Sequence, residues 1–268
     1  MKFSVLIAHY NNAEYFKDLH RSLLSQTWNN WEAVILDDGS SQEEKNRVRQ
    51  LIEGDQRFRF FENEQNFGVG KTKAKLPTLA TGEICAFVDP DDALKPNAIE
   101  ILARHYVDQK TTAVYSQFVL CDEHMNERKI FPGSEQVRNN DSLFFNVFFE
   151  INHFFSFRRD AYEKSGGIEP TLSSSVDQDL YLKIYDLGNV LFVKQPLYLY
   201  RQHEKGVSQN AEKKKKLYQN WDLILRNAAK RRNLSKLYGS NIETIGSLPE
   251  FLHAKQNTFF KRIKRRLF

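Results

Sequence analysis

Short apolar runs alternate with amphipathic stretches through the first hundred residues. Runs of apolar and small residues predict strands at about 3–8, 31–36, 57–61 and 84–88. Apolar residues at helical spacing predict helices at about 13–25, 41–51 and 71–81. Ser41, with Glu44 three positions later, forms a capping box at the start of the second helix. Strands that alternate with helices in this way are typical of a doubly wound, mostly parallel sheet.

The second half is less regular. The pattern predicts helices at about 96–109, 139–149, 159–165 and 177–188, and a helical, basic segment from Glu212 onward. It predicts strands at about 113–120, 154–158, 190–193 and 197–200. We therefore expect an α/β fold whose mixed, mostly parallel central sheet is flanked by helices. The expected domain is 1–208, with halves 1–100 and 101–208, followed by a basic helical extension over 209–268.

The fourth predicted strand ends in a cluster of carboxylates. Residues 84–88 are followed by Asp89, Asp91 and Asp92, with Pro90 between them. Carboxyl ends of parallel strands face the crevice where ligands bind in open α/β sheets. Crowded carboxylates repel one another and are best tolerated around a cation, and oxygen ligands beside a phosphate favour Mg²⁺ or Mn²⁺. Taken alone, the cluster fits a solvated acidic turn before the next helix equally well.

Composition and charge exclude several classes of protein. Cys85 falls in a predicted strand and Cys121 directly follows another, which fits core positions in a reducing compartment. The apolar run that follows Met1 is too short for a signal peptide, and the run 143–149 is too short to span a bilayer. We therefore expect a cytoplasmic protein that can lie on the inner face of the plasma membrane.

The net charge of +5 is unevenly distributed. Residues 209–268 hold 15 Lys and Arg against four Asp and Glu, whereas residues 1–208 hold 24 against 30. Because a nucleic-acid enzyme usually has basic residues around its cleft, we expect no nucleic-acid partner. In the final ten residues, Phe260, Ile263 and Leu267 share one helical face with cations around the remainder. This pattern predicts binding to an anionic membrane surface, and a solvated C-terminus fits it equally well.

A glycine-rich segment resembles two phosphate-binding motifs without completing either. Gly68-Val69-Gly70-Lys71-Thr72 imitates the end of a P-loop, but Gln65 stands where the phosphate cradle needs a glycine. The dinucleotide-binding pattern also fails, because Lys73 replaces its third glycine and the segment follows the third strand. The segment could attract phosphate at a helix N-terminus, or it could be a plain turn with solvated lysines.

Nine motifs occur in a fixed order over residues 3–208. They are Val5 to Asn11, Ser22 to Thr27, Asp37 to Ser40, Asn66 to Gly68, Thr81 to Glu83, Asp89 to Asp92, Gly166-Gly167, Asp177 to Leu180 and Tyr200 to His203. In this order they resemble the family 2 inverting glycosyltransferases of the GT-A (nucleotide-diphospho-sugar transferase) fold. The resemblance implies a metal-dependent enzyme, with Mn²⁺ or Mg²⁺, that moves a hexose or N-acetylhexosamine from a UDP-linked donor. The implied acceptor is a glycan or lipid-linked glycan in cell-surface polysaccharide synthesis.

The resemblance also implies roles for individual residues. Asp177 would be the general base that deprotonates the acceptor hydroxyl, and Asp91 and His203 would bind the metal. Asp38 would bond the nucleotide base, and Asp89 would face the ribose or the sugar. The implied donor-binding set is Ala8, His9, Tyr10, Asn11, Asp38, Gly68, Lys73, Asp89 and Asp92.

Three segments depart from the family pattern. Val176 stands where the family often has Glu, Lys73-Ala74 replaces Arg-Asn, and Ala8-His9 replaces Pro-Thr. These differences concern the donor side more than the reaction. The alternatives are a sugar-nucleotide-binding module without turnover, and a nucleotidyltransferase or P-loop-like NTPase that shares only the acidic strand end.

Overall fold

The computed structural model describes residues 1–203 and 211–257. Within these ranges the main sheet contains β1 (Phe3–His9), β2 (Trp31–Asp37), β3 (Phe58–Glu62), β4 (Ile84–Phe87), β5 (Ala93–Leu94), β6 (Thr111–Cys121), β7 (Glu127–Ile130), β8 (Phe155–Arg158) and β9 (Asn189–Arg201). The helices are α1 (Ala13–Leu24), α2 (Gln42–Ile52), α3 (Val69–Leu79), α4 (Ala98–Ala103), α5 (Arg159–Lys164), α6 (Val176–Tyr185), α7 (Ala211–Arg231) and α8 (Leu248–Gln256). A two-stranded hairpin joins β10 (Lys236–Leu237) to β11 (Ser240–Asn241).

The order of strands across the sheet is β3-β2-β1-β4-β8-β6-β9-β5, with β7 paired to β6. Strands β1 to β4 are mutually parallel, whereas β8 runs antiparallel to both β4 and β6. The chain first winds outward from β1 to β3 and then crosses back through α3 to β4 on the other side of β1. A crevice is expected at this reversal, beyond the carboxyl ends of β1 and β4.

Both faces of the sheet are covered by helices. Along β1, Val5 and Ile7 pack with α1, α2 and α4, whereas Leu6 between them packs with α3, α6, α7 and α8. This alternation follows from the two-residue period of a strand. Fully buried apolar side chains such as Phe16 and Leu76 each contribute about 1.5–3 kcal/mol. Apolar residues of α7, α8 and the hairpin belong to the same cluster as Leu6, and the predicted division at residue 208 stays a prediction.

The alternating β-α pattern predicted for the first hundred residues is confirmed. The helix predicted at 139–149 is wrong: this segment forms turns, with left-handed φ angles at Asn140, Asn146 and Phe149. Its aromatic composition reflects burial of side chains such as Phe145 in the core, not a helical stripe. None of the described helices is long and apolar enough to cross a membrane.

Three boundaries differ from prediction. The helix predicted at 96–109 ends at Ala103 and continues as a 3₁₀ turn over Arg104–Val107. The two strands predicted at 190–193 and 197–200 are one strand, β9, whose register against β6 shifts near Pro196. Proline lacks a backbone donor, so it is tolerated at such an irregularity. The segment after Glu212 is interrupted by the β10–β11 hairpin, so the prediction of continuous helix is wrong there.

Candidate active site

Three of the predicted donor-site segments follow parallel strands that end at the same edge of the sheet. His9 at the end of β1 is in register with Asp37 at the end of β2. The acidic segment 89–92 follows β4, which pairs with β1 on its other side. The fold therefore brings the three segments together at the crevice where strand order reverses.

His9 and Asp37 form a buried pair beneath this crevice. The Nδ1 atom of His9 lies 2.9 Å from Oδ2 of Asp37, and the backbone N–H of Ser40 donates to the other carboxylate oxygen at 2.9 Å. Burial alone would raise the pKa of Asp37, but the hydrogen bonds from His9 and Ser40 hold it below its usual value. The His9 side chain is 0% exposed, so it anchors the two strand ends from within the core.

The rest of the first loop lies nearer the surface. Ala8 is half-buried, and the Tyr10 side chain is exposed. Asn11 is exposed and joins this loop to the next, because its Oδ1 accepts from the backbone N–H of Ser41 at 3.0 Å. Of the predicted residues in this loop, Tyr10 presents the ring that is accessible to a nucleotide base.

Asp38 organises the turn that contains Gly68. Its carboxylate accepts from Asn63 Nδ2 at 2.8 Å, from the backbone N–H of Phe67 at 3.0 Å and from that of Gly68 at 2.8 Å. The turn approaches so closely that a Cβ on Gly39 would lie 2.6 Å from backbone atoms of residues 65 and 66. The structure therefore places the Asp38 carboxylate on protein donors, and its predicted bond to a nucleotide base stays a prediction.

Lys73 bridges two of the predicted site carboxylates. Its Nζ lies 3.0 Å from Oδ1 of Asp89 and 3.0 Å from Oδ1 of Asp177. The lysine side chain is 6% exposed, whereas Asp89 and Asp177 are 34% and 32% exposed. Burial would lower the pKa of Lys73, but the two carboxylates override it and raise the value. Burial likewise would raise the pKa of Asp89, and the Lys73 ammonium instead holds it below its usual value.

This bridge forms one wall of a small enclosed pocket. The pocket is lined by Lys73, Phe87, Asp89, His153, Phe155, Asp177, Leu180 and Tyr181. Burial lowers the pKa of His153, despite the nearby carboxylates that would raise it. A neutral imidazole, two carboxylates and an ammonium thus meet in one pocket.

Asp91 and His203 form a second polar pair. Oδ2 of Asp91 lies 2.8 Å from Nε2 of His203, and the His203 ring packs on Tyr15 with 4.8 Å between ring centres. Adjacent ligands of an octahedral ion at 2.0–2.1 Å lie roughly 3 Å apart, so this oxygen and nitrogen are spaced as two such ligands. Within the described ranges, no group of three or more His, Cys, Asp or Glu side chains could hold a metal by itself. That donor set fits an ion completed by substrate phosphate oxygens and water.

Asp92 is directed away from this pair. Its side chain is 2% exposed, accepts from the backbone N–H of Arg201 at 2.8 Å, and lies 2.5 Å from the Tyr198 hydroxyl. Burial, together with the neighbouring Asp91 and Asp89, raises the pKa of Asp92 well above its usual value. Asp92 therefore fixes the end of β9, from which His203 follows, and does not line an accessible donor surface.

The two acidic residues of α6 are equally distinct. Asp177 projects into the pocket, whereas Asp179 is 1% exposed and accepts from the backbone N–H of Glu169 and from Lys183 Nζ, both at 2.8 Å. Asp179 thereby ties the first turn of α6 to the preceding loop. Of these two, only Asp177 could reach a substrate.

The sequence profile of glycosyl transferase family 2 matches residues 4–166, more than half of the chain. The chain belongs to this family. The predicted resemblance is thereby confirmed, and relatives extend it beyond residue 166. EpsH of Bacillus subtilis (strain 168) is 27% identical over 220 residues, which cover 79% of this chain and 64% of EpsH. Chondroitin synthase of Escherichia coli is 26% identical over 189 residues, which cover 69% of this chain and 26% of that protein.

Solved structures of other glycosyltransferases superpose on this chain. TarS of S. aureus, in a complex with UDP-GlcNAc, superposes with a TM-score of 0.70 and 21% identity, over 86% of this chain and 66% of that one. A mannosyltransferase of Pyrobaculum calidifontis, in a complex with GDP-Man and Mn²⁺, superposes with a TM-score of 0.59 and 15% identity, over 95% of this chain and 68% of that one. The GT-A fold is therefore confirmed. The chain spans less than two thirds of the length of the curated relatives that match it first.

Several residues that shape the site of this family 2 chain were not predicted from its sequence. Arg201 donates to Asp18 at 2.7 Å and to the backbone carbonyl of Asp91 at 2.7 Å. Its guanidinium also lies 4.7 Å from the centre of the Tyr15 ring. The sequence feature that could have indicated this cluster is the spacing of Tyr15 and Asp18, which stand at i and i+3 on a predicted helix and so share one face.

Proposed function

We propose that this protein is a metal-dependent inverting glycosyltransferase that transfers a sugar from a UDP-sugar to a hydroxyl group of a glycan or lipid-linked glycan. The observation that carries the proposal is the joint placement of Asp89 and Asp177 on one buried ammonium, at the same crevice as the Asp91–His203 pair. Family membership and the bound UDP-GlcNAc of the TarS neighbour support the donor class.

On the donor side, Asp91 and His203 would hold Mn²⁺ or Mg²⁺. The Mn²⁺ bound by the mannosyltransferase neighbour supports this assignment. A divalent ion there would neutralise the charge that develops on the departing diphosphate. Tyr10 offers an exposed ring for the nucleotide base. The turn that Asp38 holds places the exposed side chain of Phe67 at the edge of the same crevice.

On the acceptor side, Asp177 is the general base. Its carboxylate takes the proton from the acceptor hydroxyl while that oxygen forms a bond to the anomeric carbon and the bond from this carbon to the diphosphate oxygen breaks. The electron pair of the broken bond leaves with UDP. Attack from the face opposite the leaving group inverts the anomeric centre, as expected when a single base serves the acceptor and no covalent intermediate forms.

Calorimetric titration with UDP and Mn²⁺ tests the donor half of the proposal. We expect Asp91→Asn to weaken binding of the pair at least tenfold, because the ion loses a charged ligand. Asp160→Asn is the matched control, since Asp160 is exposed and forms its ion pair with Lys164 on the same helix, α5. Equal affinity of wild type and Asp91→Asn would remove Asp91 from the metal site.

The acceptor is proposed to be a polysaccharide or its lipid-linked precursor, which the chondroitin synthase relative supports. The predicted membrane-binding segment, residues 259–268, lies outside the described residues. It carries five Lys and Arg, each worth about 1 kcal/mol near an anionic surface. Truncation after Asn257 should release the protein from vesicles containing anionic lipid, and equal co-sedimentation of both forms would remove the membrane proposal.

A further inference from the structure

Three aromatic rings lie together where the turn at Phe149 meets α7. Phe149 and Trp221 are stacked with 5.5 Å between ring centres, and Tyr218 lies 6.0 Å from Trp221. Phe149 is 40% exposed and Tyr218 is 50% exposed, whereas Trp221 is 8% exposed and forms the base on which they rest. We call these three residues the aromatic platform.

Two contacts attach the aromatic platform to the segment that carries Asp177. Asn146, three residues before Phe149, donates from Nδ2 to Gln178 Oε1 at 2.9 Å. Asn220, between Tyr218 and Trp221, donates from Nδ2 to Ser174 Oγ at 2.9 Å. Neighbours of the platform residues are thus attached three residues before Asp177 and one residue after it.

Backbone strain marks the same place. Phe149 has a φ angle of +57°, in the left-handed region that bulky side chains rarely adopt. The turn is held by Asn146, whose side chain exchanges two hydrogen bonds with the backbone of Ile151. Strain of this kind persists only where the surroundings enforce it, and it clusters at ligand-binding positions.

We propose that the aromatic platform is an acceptor subsite that binds a pyranose ring of the acceptor glycan. The C–H face of a pyranose is apolar and packs on exposed aromatic rings, which supply a large rigid contact area. The exposed hydroxyl of Ser173 accepts from Asn220 Nδ2 at 3.3 Å, beside the platform, and suits a sugar hydroxyl. The proposal rests on the proposed function, because it takes the acceptor to be a glycan.

The test is retention on an array of bacterial surface polysaccharides and their oligosaccharide fragments, with UDP and Mn²⁺ present. The double variant Phe149→Ala/Tyr218→Ala removes both exposed rings. We expect it to lose retention roughly tenfold or more, which corresponds to about 1.4 kcal/mol of binding free energy or more. Tyr218→Phe should retain glycans, because the ring remains. Leu223→Ala is the matched control, since Leu223 is 44% exposed on the same helix and lies outside the platform.

Calorimetry with UDP and Mn²⁺ separates this proposal from the proposed function. Glycan retention that depends on both rings, in a protein that does not bind UDP, would support the subsite and overturn the donor assignment. Equal retention by wild type and the double variant would overturn the subsite, as would a wild type that binds UDP but no glycan. Lower thermal stability of the double variant with unchanged retention would show that the rings only pack α7 against the loop, and would also overturn it.

Discussion

Replacing Lys73 by methionine removes the ammonium that joins Asp89 to Asp177. Each carboxylate oxygen lies 3.0 Å from Nζ, so the two oxygens lie within 6.0 Å of each other. Two unit charges at about 6 Å repel by roughly 3 kcal/mol at an effective dielectric constant of ~20, and by roughly 0.7 kcal/mol in water. Since both carboxylates are about one third exposed, we expect a repulsion between these two limits. Together with the lost attraction to the Lys73 ammonium, it should lower the unfolding free energy by about 2–3 kcal/mol.

Thermal and urea denaturation measure this loss. For a chain of this size, about 2–3 kcal/mol lowers the melting temperature by roughly 4–12 °C. The depressed pKa of Asp89 contributes stability that is present above the unfolded value of about 3.9 and is lost as pH falls through the folded value. The difference in unfolding free energy between wild type and Lys73→Met should therefore have its full size at pH 7 and become smaller below about pH 4.

Two variants make this prediction refutable. Adding Asp177→Asn to Lys73→Met should restore part of the stability, because one of the two repelling charges is removed. Lys71→Met, on the exposed face of the same helix, should change stability by no more than about 0.5 kcal/mol. If Lys73→Met is as stable as wild type at pH 7, or if Asp177→Asn restores nothing, the bridge does not stabilise the fold as argued.

Three further predictions concern single sites. Hydrogen bonds from Ser4, Thr81 and Lys2 outweigh burial and lower the pKa of Glu32 to about 2. Stability of wild type should therefore fall as pH drops from about 4.5 to 2, and the fall measured in urea titrations should be smaller for Glu32→Gln, because only the Glu32 contribution is removed. Asp92→Asn should keep the fold and the affinity for UDP and Mn²⁺. Asp92→Ala should lose about 2 kcal/mol of unfolding free energy, and equal melting temperatures of the two variants would contradict this. Tyr15→Ala should weaken Mn²⁺ binding, measured by electron paramagnetic resonance, whereas Tyr15→Phe should not, because its ring still packs on His203. Equal effects of the two variants on Mn²⁺ binding would show that this packing does not position His203.

The first half of the fold was predictable because each strand there is a short apolar run that separates two helical patterns. Parallel strands buried on both faces have this signature, and β1 to β4 were placed to within a few residues. Residues 139–149 were not predictable from the same rule. Their aromatic side chains reach the core from a sequence of turns, and left-handed residues such as Asn146 are not revealed by hydrophobic periodicity.

The candidate site was predictable in its carboxylates but not in their partners. The motif order identified Asp91 and Asp177, whereas the bridge from Lys73 to Asp177 joins residues 104 positions apart. Nothing local in the sequence shows that the Asp92 carboxylate is buried against Tyr198 and Arg201 of β9, whereas the Asp91 carboxylate lies on His203. Contacts of this range depend on the packing of α3 and β9 against the acidic segment, and periodicity carries no information about them.

Release of UDP from UDP-sugars in the presence of Mn²⁺ tests the central claim most directly. A panel of UDP-GlcNAc, UDP-GalNAc, UDP-glucose and UDP-galactose should include at least one donor that wild type turns over. Asp177→Asn should bind UDP as tightly as wild type while turnover falls by roughly 10²–10⁴-fold, the usual contribution of a general base. Asp179→Asn should lower thermal stability and should reduce turnover less than Asp177→Asn does. A wild type that releases no UDP, or an Asp177→Asn variant as active as wild type, would contradict the account.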